Sequence, residues 1–208
     1  MVKTAESFGR SRAESDPRPP RGQQREAPLA EFLEARMFDQ RVIWIRGRLD
    51  ELAATTAAAQ LMTLDGSGDD RIQLHVSSGE GTLTAALTVM DTIAALGVPV
   101  EAVCTGSVEG AALGVVAVSH LRLASAHSRL RLRDEEFSVA GPAAALAREL
   151  AQHQRQLERF IEQVAQATGQ PAERIEIDLA AKRYFDVEEA IQYHLIDGIW
   201  SGVMSRPG

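Results

Sequence analysis

Between residues 41 and 124, short β-type runs alternate with helix-type segments. That alternation constrains the fold more than any other feature of the chain. Arg41-Val-Ile-Trp-Ile45 is rich in β-branched and aromatic residues and is closed by Gly47. Asp50 offers a side-chain cap to an alanine-rich helix reaching about Leu64. A turn cluster, DGSGDD, fills 65–70, and a short strand is expected at 72–76. Residues 77–81 read as a glycine-bearing turn, 82–96 as a helix and 99–104 as a strand. An apolar helix is expected at 106–120 and another strand at 121–124. Strands separated by helices connect through crossovers, so the expected fold class is α/β with a largely parallel sheet.

Upstream, 29–37 fits a short helix. Downstream, 142–168 is a long helix whose apolar stripe is Ala143, Leu146, Leu150, Leu157, Phe160, Ile161 and Val164. Gly169-Gln-Pro171 stops it, and a helix at 187–193 and a strand at 198–200 follow. Residues 1–28 differ in kind. They hold four of the eight prolines, six basic and four acidic residues, and Phe8 as the single aromatic. Such a segment buries too little apolar surface to offset its ordering entropy, so 1–28 is expected to be a disordered tail.

Composition narrows the function. The chain has 208 residues, 45% hydrophobic and 25% charged, enough for one ordinary core. A net charge of −7 disfavours a nucleic-acid partner. Cys104 is the single cysteine, which excludes an internal disulfide and a cysteine-cluster metal site. The uncharged runs at 52–64 and 110–121 are too short to span a bilayer, and the N-terminus lacks the apolar core of a secretory signal. The expectation is a cytoplasmic protein with no membrane partner, no cofactor and no metal.

Several segments, in order, resemble ClpP, the barrel-forming proteolytic subunit of the Clp protease and a serine peptidase. Arg41-Val-Ile-Trp-Ile45 with Gly47 is similar to its first strand. IQLHVSSGEGTLT at 72–84 is similar to its strand and glycine loop, usually INSPGGSIS. Residues 106–114 resemble its nucleophile helix start, G-x-A-A-S. RLASAHSR at 122–129 resembles the strand before its catalytic histidine, and TGQPAERIE at 168–176 its T-G-Q-x-x-E-x-I-E signature. Residues 184–197 match its closing helix. The resemblance covers roughly 29–200. It implies a spiral of βαβ units, shared with the crotonases, with a head at about 29–132 and 170–208 and a long handle at about 133–169.

The resemblance also implies where the chemistry should lie. A serine protease needs a hydroxyl nucleophile, a histidine that takes its proton and a carboxylate that orients the histidine. Counted from Gly106, the nucleophile position is Gly110, which has no side chain. Counted from Ser128-Arg129, the histidine position is Arg133, which stays protonated near neutral pH. The carboxylate position, Asp178, is kept. The two glycines that present oxyanion N–H groups in the family correspond to Glu80 and Gly81. Arg133 and Asp178 are expected to form an ion pair in the vacated site.

The family stacks two seven-membered rings into a chamber and docks an AAA+ unfoldase in pockets lined by aromatics. The matched positions here are Gln73 and His75, whose polarity argues against unfoldase docking on this subunit. The segment after the histidine position, residues 134–138, and the Ala181-Lys182 pair after Asp178 both differ from the family's pattern, so inter-ring contacts are expected to differ. Partners are therefore ClpP-type subunits in a homo- or hetero-oligomeric ring.

The leading expectation is a catalytically inactive ClpP-like subunit with a structural or regulatory role. One rival is a serine peptidase with a rearranged site, Ser107 or Ser78 with His127 and Asp178. Another is a crotonase-like acyl-thioester enzyme. Read alone, Ser77, Ser78, Ser107 and Ser119 are ordinary caps or loop hydroxyls, and Cys104 is a buried strand residue. His75 belongs on a sheet face and His153 on the polar side of the long helix. His120, His127 and His194 also fall outside the matched catalytic position.

Overall fold

A computed structural model describes residues 23–135 and 142–202, with side chains from residue 29 onward. Two compact units divide at Arg36. The first holds most of helix α1 (Gln23–Asp39), so helix already begins within the stretch expected to be a disordered tail. Leu29, Phe32 and Leu33 are exposed on it, and the Arg36 guanidinium sits 5.9 Å from the Phe32 ring centre. The rest of the tail, residues 1–22, lies outside the described residues.

The second unit begins with β1 (Val42–Leu49), α2 (Glu51–Asp65) and β2 (Ile72–Gly81). The Asp50 side chain accepts from the Ala53 N–H at 2.9 Å and caps α2 as its sequence foretells. Next come α3 (Leu83–Ala95), β3 (Val100–Glu109), α4 (Ala111–Ala117), β4 (Leu121–Ala124) and β5 (Arg129–Arg131). The chain continues through α5 (Ala143–Thr168), α6 (Ala172–Ala180), β6 (Tyr184–Phe185), α7 (Val187–Gln192) and β7 (Gly198–Ile199). Five strands run parallel in the order β1-β2-β3-β4-β7. The far half of β3 pairs with β5, and β6 closes antiparallel on β5. This mixed α/β arrangement is the one the ClpP resemblance implies.

Boundaries differ from the sequence reading in instructive ways. The expected glycine turn at 77–81 is strand: β2 continues and tolerates a bulge, where Ser78 and Gly79 face Gly47 alone between the pairs Arg46–Ser77 and Arg48–Glu80. The expected helix at 106–120 is strand up to Glu109, because Ser107 to Glu109 pair with β5. Helix α6 was not anticipated. Pro171 and an amphipathic run mark it, with Ile175 and Leu179 buried.

One sheet face carries Ile43, Ile45, Leu74, Val76, Ala102, Cys104 and Ala124 into the main core, beneath α2, α3 and α4. The C-terminal half of α5 joins that core through Phe160, Ile161 and Val164, while Leu150 remains 51% exposed. The approach of α5 to α4 depends on Gly114: a Cβ there would meet Phe160 Cε2 at 2.4 Å and the Met90 sulfur at 3.0 Å.

Candidate active site

The site is built where β3 turns into α4. Gly110 occupies that turn with φ 56° and ψ −128°, a backbone that L side chains adopt only under strain. Its N–H donates to the Arg131 carbonyl at 2.9 Å. A Cβ at this position would lie 3.2 Å from the Arg133 carbonyl oxygen and 3.6 Å from Arg133 Cγ. Position 110 therefore faces Arg133, and the residue in this sharp turn carries no side chain.

Arg133 does not pair with Asp178, contrary to the sequence expectation. Its Nε donates to Glu109 Oε2 at 3.1 Å and its Nη2 to the Gly79 carbonyl. Glu109 is shared: Arg131 Nη1 lies 3.6 Å from Oε2, and the Ser107 hydroxyl donates to Oε1 at 2.9 Å. Strand register explains the choice. Glu109 stands opposite Arg131, and Arg133 lies two residues further along the same side. The other half of the expected pair is occupied locally. The buried Asp178 carboxylate accepts from Arg174 Nε one helical turn earlier at 2.9 Å, from Arg183 Nη1 at 3.2 Å and from the Tyr193 hydroxyl at 2.7 Å. Burial, first, and that hydrogen bond, second, hold the Tyr193 phenol well above its ordinary range.

Glu80 and Gly81 extend β2 beside β1 rather than forming a free loop. Arg48 pairs with Glu80 in register and Leu49 with Gly81, and the Thr82 N–H donates to the Leu49 carbonyl at 3.1 Å. The Glu80 carboxylate is exposed and lies 3.4 Å from the Arg48 guanidinium. These residues, with Gly110, Arg133, Glu135 and His153, border an open cleft of about 1210 Å³. Asp178 stands outside its lining.

His153 is not on the outer polar side of α5. Its ring faces Glu135 Oε1 at 3.3 Å and Asp134 Oδ2 at 3.6 Å. Glu135 also accepts from the Leu83 N–H at the start of α3, at 3.1 Å. Burial raises the Glu135 carboxyl above its ordinary value despite those partners. Sequence reasoning missed Glu109, Arg131 and His153 as neighbours of the site. For His153 a signal existed: it falls three residues after Leu150 and four before Leu157, on the same stripe.

Gln73 and His75 lie on the opposite sheet face from the main core, both buried. Gln73 Nε2 donates to Glu101 Oε1 at 2.7 Å, which leaves Gln73 Oε1 to accept from His75 Nε2 at 2.9 Å. Trp44 stacks on the His75 ring with centroids 4.6 Å apart, and Trp200 meets it edge-on at 5.2 Å. Burial lowers the His75 pKa, with Glu101 acting in the opposite sense.

The other hydroxyls and the thiol have local occupations. The Ser78 hydroxyl donates to the Glu80 carbonyl at 2.8 Å, so neither it nor Ser107 is bonded to a histidine. His127 is exposed between β4 and β5. Cys104 is buried, and burial pushes its thiol up to about 12. Among the described residues no helix is long and apolar enough to cross a membrane.

Comparison with known proteins gives the same family. The Clp protease family model matches residues 25–202. The chain is 33% identical over 167 residues to the chloroplastic ATP-dependent Clp protease proteolytic subunit-related protein 2 of Arabidopsis thaliana, covering 78% of this chain and 60% of that protein. It is 28% identical to ATP-dependent Clp protease proteolytic subunit 1 of Corynebacterium glutamicum, covering 80% and 82% of the two chains. Against proteolytic subunit 2 of Chlamydia muridarum the identity is 31%, with 80% and 84% covered. The match spans less than two thirds of the Arabidopsis protein. On the strength of the fold, the β3–α4 turn and these matches, the chain belongs to the Clp protease proteolytic-subunit family.

Proposed function

We propose that this chain is a ClpP-type subunit that has lost peptidase chemistry and serves a structural or regulatory role in a ring with itself or with other ClpP-type subunits. The observation that carries the reading is Gly110. The strained turn that would present a nucleophile is kept, and the residue in it has no side chain. Arg133, fixed between Glu109 and Gly79, offers no general base in support of a substitute hydroxyl. Asp178, retained from the triad positions, acts as the anchor of α6 through Arg174, Arg183 and Tyr193. The buried polar chain of Glu101, Gln73 and His75, with Trp44 stacked on His75, supports the further reading that this subunit is a poor dock for an apolar unfoldase loop.

Purified protein incubated with short fluorogenic peptides and with a fluorophosphonate probe tests the reading. Turnover within blank and no labelling are expected. Turnover above blank by the purified chain, or labelling of any serine, would overturn it. Native mass spectrometry of the protein alone, and mixed with an active ClpP-type subunit, reads the ring role.

A further inference from the structure

The geometry points to Arg133 as a latch that fixes the end of β2 with the Glu80 N–H turned away from Arg133 and toward β1. The observation is the bond from Arg133 Nη2 to the Gly79 carbonyl, made inside the bulge where Ser78 and Gly79 face Gly47 alone. A peptide unit is planar and trans, so a carbonyl aimed at Arg133 turns the following N–H, that of Glu80, the other way. The ladder says the same independently. Arg48 pairs with Glu80 and Leu49 with Gly81, and the Thr82 N–H goes to the Leu49 carbonyl. The two-residue period of a parallel ladder then directs the Glu80 N–H toward β1.

The guanidinium is itself aimed. Glu109 at the end of β3 holds its Nε at 3.1 Å, and Ser107 steadies the carboxylate from the other oxygen. Three segments thus meet at one side chain: the β2 bulge, the end of β3 and the strand extension after β5. The result is a site edge bearing the Glu109 carboxylate, with the Glu80 N–H turned to β1, where stabilising a developing oxyanion would need N–H donors. This deepens the pseudoprotease reading: the lesion is not confined to the absent hydroxyl and imidazole, and Arg133 maintains part of it as a positioning residue.

Amide hydrogen exchange and carbonyl 13C shifts, measured by NMR on the full chain and on Arg133→Gln, test the latch. Exchange at the Glu80 amide is expected to quicken about tenfold or more, with the Val103 and Cys104 amides in the sheet centre unchanged. The Gly79 carbonyl resonance is expected to move upfield as its charged donor is lost. A Glu80 rate within about twofold of the parent and an unmoved Gly79 resonance would overturn the latch. Should Arg133→Gln fail to fold, Glu109→Gln replaces it, since it frees the guanidinium while keeping an acceptor for Ser107. The same two changes are expected, and their absence there is equally fatal. Neither readout depends on hydrolysis. A failed latch therefore leaves the inactive reading standing, and peptide turnover by the parent would overturn that reading without touching the latch.

Discussion

Arg133 and Glu109 meet Nε to Oε2 at 3.1 Å, with each side chain about four-fifths buried at 18% exposure. Exposed pairs contribute about 0–1 kcal/mol and breaking fully buried ones costs about 3–5 kcal/mol, so this pair falls between. Glu109→Ala leaves two arginines without their shared carboxylate and is expected to destabilise the fold by about 2–3 kcal/mol. Arg133→Ala in the same background should then add less than it does alone. Urea titrations of both singles and the double check the coupling, and strict additivity would count against a shared network.

Gly110→Ser should not revive hydrolysis. The new Cβ would stand 3.2 Å from the Arg133 carbonyl in a positive-φ backbone, a strain of about 1–2 kcal/mol. A lowered melting temperature with no turnover of a fluorogenic peptide is the expected pair of results. Turnover from this single change would show that some group other than Arg133 serves as base.

Asp178 is predicted to matter for stability. Its carboxylate holds three partners across α6, the following loop and the residue after α7. Asp178→Ala strands the Tyr193 hydroxyl and releases the partly exposed Arg174 and Arg183 to water, and is expected to cost about 1–3 kcal/mol, against about 1 kcal/mol for Tyr193→Phe. Chemical denaturation orders the two variants, and an Asp178→Ala loss below that of Tyr193→Phe would refute the anchor role.

His75 gives the fold a pH slope. Burial lowers its pKa below the ordinary 6.5, so the folded state binds fewer protons than the unfolded chain as pH falls. The stability held by neutral His75 is full above 6.5 and declines as pH drops through that value. Melting temperatures measured from pH 8 to pH 5 should fall, and His75→Phe should flatten the decline even if it lowers the starting value. An equal slope in the variant would place the titration elsewhere.

How much of this was readable beforehand depends on the range of the interaction. The β-α alternation, the Asp50 cap and the stop at Gly169 are local and were legible. Position 110 was singled out in the same local way, by counting four residues from Gly106. The partners of Arg133 and Asp178 were not. Both were assigned to each other by analogy with a triad, whereas each has a nearer partner: Glu109 through the β3–β5 register, Arg174 through one helical turn. The Ser77–Gly81 segment misled because two glycines imitate a turn, and only pairing with β1 and β3 keeps it extended. His153 escaped because a polar residue on an apolar stripe was placed on the outer face by type rather than by spacing.

The missing methyl at Gly114 sets more than a local contact. Phe160 rests directly on that glycine, and α5 continues from Phe160 back to Leu146, beyond the packed core. Fourteen residues at 1.5 Å each carry a small tilt over about 21 Å. If an alanine at 114 pushed Phe160 outward and turned the helix by only 5°, Leu146 would swing by about 2 Å. The bearing on which this long arm pivots is a single hydrogen atom, so the spacing between whatever the two ends of α5 touch is gauged deep inside the domain, at a residue that neither end reaches.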